Sequence, residues 1–430
     1  MVAADSKKKT VSKKQSPRRR RLGWAVVLGI VLLLVVDQLG VRELSGRDFP
    51  VTDPLAEAQR AHVVELAKPA WNGRVPGTEG NAAAARYLED ALKAAGVGPF
   101  PSAGGYFVPL PDSRLGHNVL GWIAPDEPQE TNAGVIVLGA HFDHVGPTRE
   151  GVLLGADDNA SSVAVLLGAL PTLVAMKPRR MGIAVVFFNT EEAYFDTSRQ
   201  GSRAFFDALP PEIGSPKSIR LAITLDLIGG VVWRQTADSI YACGAEKSRG
   251  LAPIVDNVHE DNLRVLRLGI HAVENIPGYR PSAFSDYDVF RDNRVPFLFL
   301  SSGRTPRYHH ATDLPDTLYY DRMARTSRWI QKLVAEVSNA STPFVYDAAG
   351  EDYAVDRDSL AWALDVAVKP WTSIPGTSPM TAFQFFRDRS RLAALADPQH
   401  VWTPADALTI ERASFRMQCL LYRYPICFTL

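Results

Sequence analysis

Short apolar runs alternate with helical patterns through the middle of this 430-residue chain, and that alternation limits what it can fold into. GVIVLGAH (134–141), GIAVVFFNT (182–190), IRLAITLDLIGG (219–230) and VPFLFLSS (295–302) are near-continuous apolar runs. Strands covered on both faces need such runs, whereas a half-exposed strand would alternate with polar residues. Helical spacing fills the intervals at 159–174, 202–209 and 318–338. Two more helices are predicted upstream, over about 54–68 and from Thr78 to a stop at Gly96. The expected fold is α/β: a mixed, largely parallel central sheet with helices on both faces.

Both ends depart from this rhythm. Residues 1–21 hold nine Lys/Arg and one acid, and LGWAVVLGIVLLLVV follows at once. With the residues to Val41 this run reaches about 20 residues, near the length that spans a bilayer as a helix. Basic residues before it favour a cytoplasmic N-terminus. An uncleaved signal-anchor over 22–41 is expected, with a cleaved signal peptide and a buried helix as the competing readings. No A-x-A site follows the run, which weighs against cleavage. The anchor would place the rest of the chain outside the cytoplasm, periplasmic or extracellular. That rest carries 38 Lys/Arg against 46 Asp/Glu, a mildly acidic body that does not suit a nucleic-acid binder. A linker is expected over 42–54, the α/β domain over 55–342, and a helical C-terminal extension over 343–430. The extension reads as three helices near 357–368, 379–396 and 404–417. Of three cysteines, Cys419 and Cys427 are close enough in sequence to pair in an oxidising compartment, or they are buried thiols.

In open α/β sheets, sites form at the carboxyl ends of the strands. The first run ends in His141-Phe142-Asp143-His144, the second in Glu191-Glu192, the third in Asp226. The fourth leads to Tyr308-His309-His310 and Asp313, and GADDNASS (155–162) stands between the first run and its helix. Each alone reads as a solvated loop or a helix cap. Together they place His, Asp and Glu, the donors that divalent ions take, at one side of the sheet. Two cations held ~3.5–4 Å apart repel. A bridging carboxylate relieves that repulsion, and one carboxylate and one imidazole on each side complete two sites. A further carboxylate is needed to move protons.

RVPGTEG, AHFDHVG, GADDNASS, NTEEAYF, LDLIGG, SDYDVF and YHHATDLPDTL, in this order, resemble the M28 family of zinc metallopeptidases over roughly residues 55–338. That family includes aminopeptidases and glutamate carboxypeptidases, with glutaminyl cyclases as relatives. The resemblance implies two zinc or other divalent ions. It implies His141 and Asp226 on one, Glu192 and His309 on the other, and Asp158 bridging. It makes Asp143 the residue that orients His141, Glu191 the general base acting on a metal-bound water, and Tyr308 a hydrogen-bond donor to the oxyanion. It also implies a cis peptide between Asp158 and Asn159. Asp157 is expected to be a loop residue facing away, with a much milder effect on substitution than Asp158. The activity so implied is that of a membrane-anchored exopeptidase, an aminopeptidase acting on peptides. A single-zinc glutaminyl cyclase and an inactive binding ectodomain are the alternatives.

Overall fold

The computed structural model describes residues 46–126, 134–177, 179–192, 201–274, 284–368 and 379–421, with residues 24, 28 and 29 besides. The rest of the basic tail and anchor region, and the pairing of Cys419 with Cys427, lie outside the described residues.

Two helices come first, α1 (Pro54–Leu66) and α2 (Glu79–Ala94). Asp53 caps α1 through the Leu55 amide, and Thr78 caps α2 through the Asn81 amide. The chain then forms β1 (Phe107–Pro109), β2 (His117–Ile123) and β3 (Val135–His141). A small ribbon follows, β4 (Gly146–Thr148) with β5 (Gly151–Leu153), then α3 (Ser162–Ala175), β6 (Gly182–Phe188), α4 (Gly201–Asp207) and β7 (Ile219–Leu225). Next come β8 (Ser239–Cys243), β9 (Ser248–Arg249), α5 (Ala252–Asn257), β10 (Arg264–Leu268), α6 (Ile270–Glu274), α7 (Asp288–Asp292) and β11 (Phe297–Ser301). The long α8 (Tyr320–Asn339), β12 (Val345–Tyr346), α9 (Tyr353–Val368), α10 (Pro379–Ala393) and α11 (Pro404–Leu421) complete the order.

Eight strands form one sheet in the order β1-β2-β6-β3-β7-β11-β8-β10. The four central strands, β6, β3, β7 and β11, are mutually parallel. β2 and β8 join them antiparallel on either side. Every residue of β3 and β6 is buried, as their uninterrupted apolar sequences require. Side chains alternate between faces with period two. Ile136, Leu138 and Ala140 join α1, α2, α3 and α8 in one core, while Val135 and Val137 join α4, α7 and the three C-terminal helices in the other.

The four strands legible in the sequence are the four central parallel ones. β2, β8 and β10 lie further out and carry polar residues within short spans (HNVLGWI, SIYAC, RVLRL), so they lack a long apolar run. The third run stops earlier than expected, at Leu225, because Leu227 takes a left-handed conformation (φ 57°) and leads the chain away. The extension forms helices at 353–368, 379–393 and 404–421, and they cover the second face of the sheet. Among the described residues one helical stretch, 156–175, is long and apolar enough to cross a membrane, and it is largely buried in the core.

Candidate metal centre

The parallel direction of β3, β6, β7 and β11 brings their carboxyl ends to one edge of the sheet, and the chemistry collects there. His141 is the last residue of β3, Glu191 and Glu192 follow β6, and Asp226 follows β7. His309 arrives on the loop after β11. Three residues at these exits sit in the left-handed region: Thr190 (φ 63°), Leu227 (φ 57°) and His309 (φ 57°). Non-glycine residues there cost of order 1–3 kcal/mol each, and such backbone persists only where surrounding contacts hold it.

The GADDN turn enters from the side, between β5 and α3. Gly155 has φ 63°, and a Cβ there would lie 2.2 Å from the Asp158 carbonyl and 2.5 Å from the His144 ring. Only glycine fits. The Asp158–Asn159 peptide is cis, as the family resemblance implies. Asn159 ties the turn to β7, donating to the Leu225 carbonyl (2.9 Å) and accepting the Leu227 amide (3.3 Å).

His141 Nε2 lies 3.4 Å from Asp158 Oδ1 and 3.6 Å from Asp226 Oδ1. His309 Nε2 lies 3.1 Å from both Asp158 Oδ2 and Glu192 Oε2. Asp158 thus stands between two clusters. Glu191 is beside the first, its Oε2 4.0 Å from His141 Nε2. Tyr308 stacks on the His309 ring, with centroids 3.9 Å apart, and lines the same cavity as Asp158 and Glu191. His310 faces outward, with Nδ1 3.3 Å from Glu150.

The donors fit divalent ions. His141 Nε2, His144 Nε2 and Asp226 Oδ1 are buried without a hydrogen-bond partner, an arrangement that costs free energy unless something binds there. His141, Asp158 and Asp226 offer three ligand atoms within 4.8 Å of one another, and so do His144, Asp158 and Glu192. A tetrahedral shell with zinc–ligand bonds of about 2.1 Å has edges of about 3.4 Å, which matches the His141 separations.

Electrostatics separates the carboxylates. Burial acts to raise Asp158, yet the His141 and His309 imidazoles beside it and the nearby His144 hold it well below the usual carboxylate range. Burial pushes Glu191 well above that range; His141 opposes the shift, while Glu192, Asp226 and Asp286 reinforce it. A carboxylate that keeps its charge suits a bridge, and one that readily takes a proton suits a base.

Four features depart from the sequence reading. The Asp143 carboxylate does more than face His141, whose Nδ1 is 3.8 Å away. Its two oxygens accept the amides of Glu191 (3.1 Å) and Glu192 (3.2 Å), which fixes the turn that carries both glutamates. Asp157 points away from the clusters but is buried and heavily bonded. Its Oδ1 accepts the amides of Gly229 and Gly230, each at 2.8 Å, so it is not a tolerant loop residue. His144 had no role in the sequence reading, and its Nδ1 meets Glu192 Oε1 at 2.8 Å. The HFDH stretch carried that signal in its second imidazole. Arg74 carried none. Fully buried, it donates to the carbonyls of Leu66, Phe142, Leu154 and Gly155 at 2.6–2.9 Å. Burial lowers its pKa to about 10, and four nearby carboxylates (Asp143, Asp158, Asp313 and Glu192) oppose that shift. It is a cation set behind the acidic cluster.

The peptidase family M28 model matches residues 118–334, half of the chain. YfbL of Escherichia coli (strain K12), an uncharacterised protein, is 26% identical over 212 residues, covering 44% of this chain and 63% of its own length. The chain therefore spans just under two thirds of that curated relative. The crystal structure of the Legionella pneumophila LapA aminopeptidase superposes with a TM-score of 0.52 at 15% identity, over 66% of this chain and 72% of that one. LapB from Legionella pneumophila gives 0.51 at 17% identity, over 70% and 79%. Identities this low speak for a shared fold alone. With half its length matched and the donors of two sites gathered around one carboxylate, the chain belongs to peptidase family M28, a family of zinc metallopeptidases.

Proposed function

We propose that this chain is a membrane-anchored di-zinc exopeptidase that removes N-terminal residues from peptides. The observation that carries the reading is the position of Asp158, shared by two buried donor clusters, with Glu191 beside them at the cavity. His141 and Asp226 would hold one ion, Glu192 and His309 the other, and Asp158 both. When bound, the ions supply Lewis acidity toward the scissile carbonyl and make a water more acidic.

The chain's own groups do the rest. Glu191 takes a proton from the attacking water and passes it to the leaving amine. The Tyr308 hydroxyl donates to the oxyanion of the tetrahedral intermediate. Asp143 holds the Glu191–Glu192 turn through its amides, and His144 steadies Glu192. Residues 22–41 anchor the chain, with residues 1–21 on the cytoplasmic side and the peptidase domain outside.

The test is metal analysis of the purified protein with a hydrolysis screen over aminoacyl, dipeptidyl and γ-glutamyl substrates. Two zinc equivalents and cleavage of aminoacyl substrates are expected. Cyclisation of an N-terminal glutaminyl peptide with a single ion bound would replace this reading with the cyclase one. Protease accessibility of residues 46–430 in intact cells checks the topology.

A further inference from the structure

One cavity is lined both by residues of the candidate centre and by residues of the C-terminal extension. Its open space, solvent at the mouth included, is about 1120 Å³. Asp158, Glu191 and Asp226 line it. Trp233, Leu268, Val273 and Phe299 line it too, and so do Ser414, Met417 and Gln418 of α11. These three positions are spaced i, i+3, i+4, so they share one face of the helix. The family match ends at residue 334, so this helix face is not part of the matched domain.

The helix is fixed in place. Arg416 makes a two-point pair with the buried Asp388 of α10, at 2.6 and 2.7 Å. Glu411 of α11 meets His271 of α6 at 3.1 Å. Ser414 and Met417 are buried. Among the described lining residues, the charged ones are Asp158, Glu191 and Asp226 of the candidate centre, with Arg304 and Arg322. Arg322 is engaged with the carbonyls of Ile228, Gly230 and Ala237, and Arg304 lies over Phe284 and Tyr308 near the mouth. A charged group taken into such surroundings loses its hydration without compensation.

We infer that the extension is a specificity element. α11 forms the end wall of the substrate pocket, and Met417 sets the length of the apolar side chain that the pocket accepts. This rests on the aminopeptidase reading given above. Met417 is unbranched and adaptable, so changing its bulk moves the wall and leaves the metal ligands untouched.

The test compares kcat/KM for 2-aminooctanoyl and alanyl p-nitroanilides in the full chain. Met417→Trp is expected to lower the ratio of the two at least tenfold, and Met417→Ala to raise it several-fold. A ratio within twofold of wild type in both variants overturns the inference. Should Met417→Trp fail to fold, the Met417→Ala ratio decides alone. A second measurement separates this inference from the aminopeptidase reading: titration with 1-hexylamine and with ethylamine, which needs no turnover. If no aminoacyl substrate is cleaved, the aminopeptidase reading falls. The pocket assignment then stands if Met417→Trp weakens hexylamine selectively, and falls if it does not.

Discussion

Asp313 Oδ2 accepts the backbone amide of Asp158 at 3.2 Å, joining two loops 155 residues apart in sequence. Its other oxygen accepts the Asp157 amide at 2.8 Å. Asp313 therefore shapes the turn that presents Asp158, the carboxylate shared by the two donor clusters, without belonging to either. Asp313→Ala would leave two buried amides without acceptors, each costing ~1–3 kcal/mol. It should weaken zinc binding by roughly 10–100-fold, the usual effect of losing a residue that orients ligands. Zinc titration by calorimetry reads this directly. Unchanged affinity would remove Asp313 from the scheme.

Asp157 makes the opposite contrast with its neighbour. Asp157→Ala removes the acceptor for Gly229, Gly230 and the Ser161 hydroxyl. A loss of about 2–4 kcal/mol is expected in urea unfolding. Asp157→Asn keeps an oxygen acceptor and should lose less. Burial and the nearby Asp313 push Asp157 up to about 7, against the Gly229 amide that favours its charged form. A neutral side chain is thus close to what the site already tolerates.

The roles of base and bridge separate by substitution. Glu191→Gln keeps the size of the side chain and removes the proton acceptor. Turnover should fall by ~10²–10⁴ while two zinc equivalents remain. Asp158→Ala should lose turnover and metal together. Elemental analysis beside a rate measurement distinguishes them, and full activity in Glu191→Gln would end the assignment of the base.

The junction between the α/β domain and the extension should respond to pH. His271 on α6 faces Asp356 on α9 (2.9 Å), Glu411 on α11 (3.1 Å) and Glu351 before α9 (3.8 Å). Tyr353 packs against its ring, and Glu246 bonds the Ile270 amide beside it. Burial lowers His271's pKa, but the Asp356, Glu351 and Glu411 carboxylates outweigh it and raise it from 6.5 to about 9. A pKa raised on folding stabilises the protein fully below the unfolded value. That stability, about 3 kcal/mol at most, is lost as pH rises from 6.5 through 9. Burial holds Glu246 up at about 7, so its own destabilising effect develops between about pH 4.5 and 7, below the window in which His271 titrates. The unfolding midpoint should therefore fall between pH 7 and 9.5, and by less in His271→Gln. Equal slopes in the two proteins would exclude His271 as the source.

Legibility followed burial and chemistry. The four central strands announced themselves because strands covered on both faces must be apolar throughout, and sequence reports that directly. His141, Glu191, Glu192 and Asp226 were visible because the ends of parallel strands share one edge of a sheet, whereas Asp158 and His309, on loops, were singled out by the family resemblance. A polar residue closing an apolar run therefore marks a position in space. β8 and β10 were not visible, since short outer strands carry mixed residues. Neither was Arg74, whose type and position in RVPGTEG fit a surface loop equally well.

Sequence by itself determined the α/β alternation, the donor set and its common side of the sheet, because these depend on residue type and strand direction. Tertiary structure decided the rest. It turned Asp143 toward two amides, buried Asp157 under Gly229 and Gly230, brought His144 to Glu192, and set one face of α11 along the cavity. Each is a contact between segments far apart in the chain. Its free energy depends on distance and on exclusion of water, and neither quantity is written in the order of residues.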